Sequence, residues 1–148
     1  MNFSQITDDL FIGTTPSVTD YDHLREAGVR LVINMRFTFG PRPDPHHEPL
    51  LLLWLRTIDS PFVPIPLAKL MVGARAALET IRLGGKVYVH CAYGRHRGPA
   101  MGSCVLVAQG YDPESAMKLI MERRLVANPY AYYIRPRILR FAQEWTRL

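Results

Sequence analysis

Apolar positions in this chain fall into short unbroken runs that alternate with longer stretches where they recur every three or four residues. Leu10-Phe11-Ile12-Gly13, Val29-Arg30-Leu31-Val32-Ile33-Asn34-Met35, Leu53–Ile58 and Val87-Tyr88-Val89-His90 are the short runs, bounded by Gly, Pro, Ser or Thr, and they predict strands. Thr19-Asp20-Tyr21-Asp22 has the form of a capping box and predicts a helix that ends at Gly28. The spacing of Leu67, Leu70, Met71, Ala74, Leu78 and Ile81 predicts a helix over 67–83, closed by Gly84-Gly85. Pro99–Gln109 is apolar nearly throughout and predicts a buried helix. Asp112-Pro113-Glu114 places a capping residue before a proline at the first helical position, opening a helix that runs to about Arg124. Asn128–Tyr133 is an aromatic turn, and Arg135–Leu148 is a final amphipathic helix.

This order of strands and helices, without an internal repeat, predicts one α/β domain over residues 1–148. Its centre is a mainly parallel sheet flanked by helices. If the Val29–Met35 and Val87–His90 strands are parallel, the loops after them leave the sheet at one edge, where open α/β sheets bind ligands. The first of these loops, Phe37–Pro49, is stiffened by Pro41, Pro43, Pro45 and Pro49 and becomes a candidate wall of a pocket. Asp44, His46, His47 and Glu48 within it invite a metal reading, but adjacent histidines in a polar loop are more often simply solvated.

Composition narrows the class. With 148 residues, 48% of them hydrophobic, the chain can bury a core without disulfides or metal. No run approaches the roughly 18 apolar residues of a membrane span, and Met1–Gln5 lacks the basic-then-apolar pattern of a leader. Two cysteines in a chain of this size point to free thiols in a reducing compartment, hence to a cytoplasmic protein. The net charge of +5 comes from 15 arginines and 3 lysines against 13 acidic residues, and would draw in anionic partners. The basic residues are scattered and no nucleic-acid recognition module is visible, so phosphorylated substrates explain the charge better than nucleic acid.

The chemistry concentrates after the last strand. His90-Cys91-Ala92-Tyr93-Gly94-Arg95-His96-Arg97-Gly98 joins a buried strand to a buried helix. A tight loop opening a helix turns several backbone N–H groups into one concavity, and the helix dipole makes that concavity an anion cradle. The N–H groups of Ala92, Tyr93, Gly94, Arg95, His96 and Arg97 are its candidate members. Cys91 at its mouth would be held as a nucleophilic thiolate, and Arg97 can grip two oxygens of a tetrahedral oxyanion. Nucleophile, cradle and bidentate clamp together describe phosphoryl transfer to sulfur. His90, adjacent to Cys91 in a strand, should face away from the sulfur. Cys104, thirteen positions on and inside the helix, reads as core packing rather than a redox partner.

His90-Cys91-x5-Arg97 resembles the HCx5R loop of the cysteine-dependent protein phosphatases, and the short chain resembles their dual-specificity branch. The order Leu10–Gly13, Pro16-Ser17, helix, Gly28-Val29 and Val32-Ile33-Asn34 is similar to the N-terminal half of that branch. The resemblance implies a protein-tyrosine-phosphatase-like fold and a phosphomonoester hydrolase working through a cysteinyl phosphate, without cofactor or metal. It further implies a monomer acting on phosphotyrosine, phosphoserine or phosphothreonine in proteins, with His90 in a buried hydrogen-bonding role that holds the loop. Protonating the leaving oxygen needs an acid from another loop. Asp59, 32 residues before Cys91 as is similar in the family, is the candidate, with Asp44 as its rival. Two features pull elsewhere. Arg95 resembles the base carried by relatives that act on inositol or glycerol phosphates, so a phosphoinositide or other phosphorylated small molecule is the alternative substrate. Gly98 stands where most relatives carry a Ser or Thr that helps the sulfur depart, which leaves a phosphate-binding module without turnover as the non-enzyme alternative.

Overall fold

Five strands and five helices follow one another in the computed structural model, which describes residues 1–46 and 48–148. They are β1 (Phe3–Gln5), β2 (Leu10–Gly13), α1 (Asp20–Glu26), β3 (Val29–Asn34), β4 (Leu51–Trp54), α2 (Leu67–Arg82), β5 (Lys86–His90), α3 (Arg97–Ala108), α4 (Pro113–Arg123) and α5 (Arg135–Trp145). The strands form one sheet in the order β1-β2-β5-β3-β4, parallel except for β1 at the edge. The chain is therefore the expected α/β fold with a mainly parallel sheet.

Side-chain alternation divides the strands between two cores. Leu10, Ile12, Leu31, Ile33, Val87 and Val89 face α2–α5 in the larger core, while Phe11, Val29, Val32 and Tyr88 meet Tyr21 and Leu24 of α1 in a smaller one. Both faces are covered, which is why β2, β3 and β5 read as nearly continuous apolar runs. Helix α3 lies in the middle of the larger core, and every residue from Gly98 to Val107 is buried. It is the best-anchored helix of the fold, and its N-terminus carries the loop of interest.

Several local expectations are corrected. Strand β1 adds an element that the sequence pattern does not mark, because its three largely exposed residues carry no apolar pattern. The strand expected at Leu53–Ile58 is Leu51–Trp54. As an edge strand it pairs only with β3, and β3 ends at Asn34, the partner of Trp54. Residues 55–58 continue without a ladder, and Asp59 stands on a loop rather than at a strand end. The capping box lies two residues earlier than expected. Ser17 N–H donates to Asp20 Oδ2 at 2.8 Å and Asp20 N–H to Ser17 Oγ at 3.3 Å, whereas Thr19 makes no side-chain cap. Asp112 caps α4 as expected, accepting from Ser115 N–H at 3.0 Å with Pro113 at the first position.

The Phe37–Pro49 loop is bound down rather than draped over the site. The Asp44 carboxylate, fully enclosed, takes the Arg25 guanidinium, Leu50 N–H at 2.8 Å and His46 Nδ1 at 2.6 Å. His46 Nε2 in turn reaches Asp22 at 2.8 Å. Burial pushes the Asp44 carboxyl up, but these hydrogen bonds outweigh it and hold the group far below the usual carboxylate range. Asp44 is a clamp on α1 and cannot serve as the rival acid. His47, named in the metal reading, lies outside the described residues.

Candidate active site

Helix α3 begins at Arg97, two residues before the expected Pro99. The first N–H groups of a helix have no partner within it, and Pro99 in the first turn has none to offer. Gly98 N–H is thereby free to point out of the helix end, and it donates to Cys91 Sγ at 3.4 Å. The sulfur sits on the positive end of a buried helix dipole, with Cys91 only 4% exposed. The carbonyl of Cys91 is fixed from two sides, by Thr15 Oγ1 at 3.3 Å and by His90 Nδ1 at 3.3 Å. Burial, reinforced by the charges of Arg36 and Arg97, depresses the His90 imidazole to about 4 despite that hydrogen bond, so it donates as a neutral ring. His90 thus braces the loop from behind, on the face of β5 away from the sulfur.

Arg97 is anchored through Nη1 alone, which donates to Thr57 O at 2.8 Å and Met35 O at 3.2 Å. Its Nε is buried without a hydrogen-bond partner. A guanidinium held at one nitrogen by main-chain carbonyls, with a further donor desolvated and unused, is prepared for an oxyanion.

Asp59, Cys91, Ala92, Tyr93, Arg95, His96 and Arg97 line one cleft of about 260 Å³. The loop expected to wall it does not. Thr38–Arg42 instead line a separate cavity of about 280 Å³ with Arg36, Asn34 and His90, and Cys91 is absent from its lining. Asp59 stands across the cleft with both carboxylate oxygens engaged. Tyr133 Oη donates to Oδ1 at 2.6 Å, and His96 Nδ1 lies 3.0 Å from Oδ2. Gly94, absent from the cleft's lining, has φ of +65°, a conformation L side chains resist.

What holds Gly94 there is Arg124, which no sequence pattern singles out. It stands just past α4, 2% exposed. Its Nε donates to Gly94 O at 2.9 Å and Nη2 to Tyr93 O at 2.8 Å, while Nη1 reaches Asn2 Oδ1 at 3.1 Å and Ser4 Oγ at 3.2 Å. A Cβ on residue 94 would come within 2.7 Å of this guanidinium. Arginine at a helix C-terminus is ordinary in sequence, and only the tertiary fold brings this one under the loop. Arg124→Met should leave the Tyr93 and Gly94 carbonyls unpaired and cost about 2–4 kcal/mol of stability. A urea unfolding midpoint within error of wild type would show that the loop holds itself. Tyr133 was likewise missed as a site residue, because nothing in an aromatic turn tells which ring faces Asp59, 74 positions away. Cys104 lies in the core as expected. Both cysteines are free, and burial alone pushes the Cys104 thiol well up.

No family model matches the chain. Human dual specificity phosphatase 28 is 27% identical over 126 residues, which span 84% of this chain and 69% of the human protein. Mouse phosphatidylglycerophosphatase and protein-tyrosine phosphatase 1 is 40% identical over 73 residues, 49% of this chain and 37% of that protein. The crystal structure of PTPMT1 superposes with a TM-score of 0.79 at 27% identity, over 98% of this chain and 94% of that one. Over most of its length the chain is thus similar to dual-specificity members of the cysteine-dependent protein tyrosine phosphatase superfamily. A mouse dual specificity phosphatase crystallised with zinc tungstate shares the fold at a TM-score of 0.84 and 23% identity, over 98% of this chain and 89% of that one. In this phosphatase no helix among the described residues is long and apolar enough to cross a membrane.

Proposed function

We propose that this phosphatase hydrolyses phosphomonoesters through a phosphorylated Cys91, and that its substrates are phosphotyrosine, phosphoserine or phosphothreonine in proteins. The observation that carries the reading is the Cys91 sulfur on the N-terminus of α3, beside an Arg97 whose Nε is buried and unpartnered. In the first step the thiolate attacks phosphorus while Arg97 and the loop N–H groups take the charge spread over the phosphoryl oxygens. Asp59 supplies the proton to the departing oxygen. In the second step water attacks phosphorus and the electron pair of the S–P bond returns to sulfur.

A second substrate reading is favoured by Arg95, which lines the cleft, by the likeness to a relative named phosphatidylglycerophosphatase and protein-tyrosine phosphatase 1, and by the likeness to PTPMT1 crystallised in complex with PI(5)P. An anionic phospholipid headgroup would use Arg95 as a second phosphate contact. Phosphate release from a phosphotyrosine peptide, a phosphothreonine peptide and a set of phosphoinositides tests both readings. Turnover of peptides alone retires the lipid substrate, turnover of lipids alone retires the protein one, and silence on all leaves only a phosphate-binding module.

Gly98 bears on the second step. A Cβ added there would sit 3.5 Å from Cys91 Sγ and 3.4 Å from Ile12 Cγ2, which is ordinary contact, so crowding does not explain the glycine. The departing thiolate has the Gly98 N–H to lean on but no hydroxyl. A hydroxyl donor to a charged sulfur is worth roughly 1.5–3 kcal/mol, or about 10–150-fold in rate. With the amide already in place, the lower end applies. On an activated aryl phosphate the wild type should release a burst near one equivalent per enzyme, and Gly98→Ser should shrink the burst and raise the steady rate about tenfold. Absence of a burst, with a rate unmoved by the substitution, would mean that sulfur departure is not the slow step.

A further inference from the structure

The candidate acid is held in a way that a lone general acid would not favour. Partial burial pushes the Asp59 carboxyl up, but the hydrogen bonds from Tyr133 and His96 and the charges of His96 and Arg97 outweigh it and hold the group below its ordinary value. Such a carboxyl favours its charged form, so a proton that Asp59 is to deliver to the leaving oxygen needs a second group to help hold it. The surroundings offer few other places to keep one. Arg97 and Arg95 stay charged throughout. Burial and the neighbouring carboxylate push the Tyr133 phenol up to about 12, so it donates a hydrogen bond without releasing its proton. Tyr132 packs edge-on against Tyr133, with ring centroids 5.4 Å apart. The Cys91 sulfur, across the cleft, is itself the nucleophile.

His96 remains. It is the residue of the loop directly before Arg97, its side chain is 19% exposed, and its Nδ1 lies 3.0 Å from Asp59 Oδ2 and 3.2 Å from Tyr133 Oη. Its ring meets that of Tyr133 edge-on, with centroids 5.6 Å apart. Imidazole is the side chain whose ordinary titration falls between pH 5 and 8. We propose that the proton given to the leaving group is held jointly by His96 and Asp59, bridged between Nδ1 and Oδ2 and positioned by Tyr133, so that the acid of this enzyme is the pair and not the carboxyl alone. The inference rests on the cysteinyl-phosphate reading above.

Atoms and charges close over the cycle. As the Sγ–P bond forms from the thiolate electron pair, the electrons of the breaking P–O bond go to the ester oxygen. That oxygen takes the proton of the pair, which is left as neutral imidazole and carboxylate. When water attacks the phosphorylated sulfur, the pair takes a proton from it and the S–P electrons return to sulfur as thiolate. One proton leaves in the first step and one returns in the second. A pair sharing a proton titrates as a unit, with an apparent value belonging to neither member.

The test is the pH dependence of kcat/KM for an alkyl phosphate, whose poor leaving group needs the acid. His96→Asn keeps an N–H donor close to the place of Nδ1 but has no proton to release. Its basic limb should fall at least one pH unit below that of wild type, so that the rate at pH 7.5 drops tenfold or more and recovers as the pH is lowered. The loss on an activated aryl phosphate should be much smaller at every pH. Rates are normalised to active sites titrated with the aryl phosphate, and His96→Gln repeats the measurement should the Asn variant lose its loop. A limb that stays at the wild-type pH in the variant would overturn the shared proton and make His96 a steric support only. Equal losses on both substrates at all pH would do the same. A wild type that hydrolyses neither substrate would instead overturn the phosphatase reading, and the pair with it.

Discussion

Cys91→Ser should lower phosphomonoester turnover at least a thousandfold while leaving the affinity for tungstate within a few-fold of wild type. The first outcome follows from nucleophilicity. At neutral pH a serine hydroxyl keeps its proton, and His90, the neighbouring imidazole in the chain, faces away and donates to the residue 91 carbonyl. The second follows from what the substitution spares. Arg97 remains tethered to Thr57 O and Met35 O, and Arg124 still grips the Tyr93 and Gly94 carbonyls, so the cradle keeps its shape. Steady-state release of phosphate and calorimetric binding of tungstate read the two independently. Residual activity above about a thousandth of wild type would mean that another residue attacks phosphorus. Loss of oxyanion binding together with turnover would mean that the sulfur organises the loop as well as attacking.

Asp59→Asn should slow alkyl phosphates and unactivated aryl phosphates by roughly 10²–10⁴ and affect an activated aryl phosphate far less. The asymmetry is the diagnostic. An oxygen that leaves readily as an anion needs no proton, whereas an alkoxide does. Asparagine occupies the same volume and can still accept from Tyr133, so a loss confined to poor leaving groups reports the missing proton rather than a displaced loop. A series of aryl phosphates of graded leaving-group acidity, assayed at one pH, gives the comparison in a single plot. Equal loss across the series would reassign Asp59 to positioning. Asp44 could not inherit the role, because its carboxylate is enclosed by Arg25, His46 and the Leu50 amide.

Taken residue by residue, legibility in the sequence followed locality. The α/β order, the buried strand Lys86–His90, the apolar α3 and the proline-led α4 were visible because each depends on contacts within a few residues and on a periodicity that burial imposes. Cys91 and Arg97 were visible for the same reason, since one loop of fixed length carries both. The direction of His90 followed from strand alternation alone. Asp59 was nominated by its place before Cys91 in the chain, but the strand expected to deliver it ends at Trp54.

What only the tertiary structure decided are meetings of residues far apart in sequence. Arg124 reaches the Gly94 carbonyl across 30 positions and Asn2 across 122, and Tyr133 reaches Asp59 across 74. His96 finds Asp59 across 37. The start of α3 two residues early, which frees the Gly98 amide for the sulfur, was equally hidden, because proline is tolerated throughout a first helical turn and its position does not mark the first residue. The chain by itself marked a candidate nucleophile and a candidate anion clamp on the loop between a buried strand and a buried helix. Which proton-bearing groups surround them was decided by the packing of α4, α5 and the Asp59 loop against that helix end. Hydrogen bonds of this kind leave no periodic trace, since their partners are single polar side chains whose spacing along the chain is set only by the path of the fold.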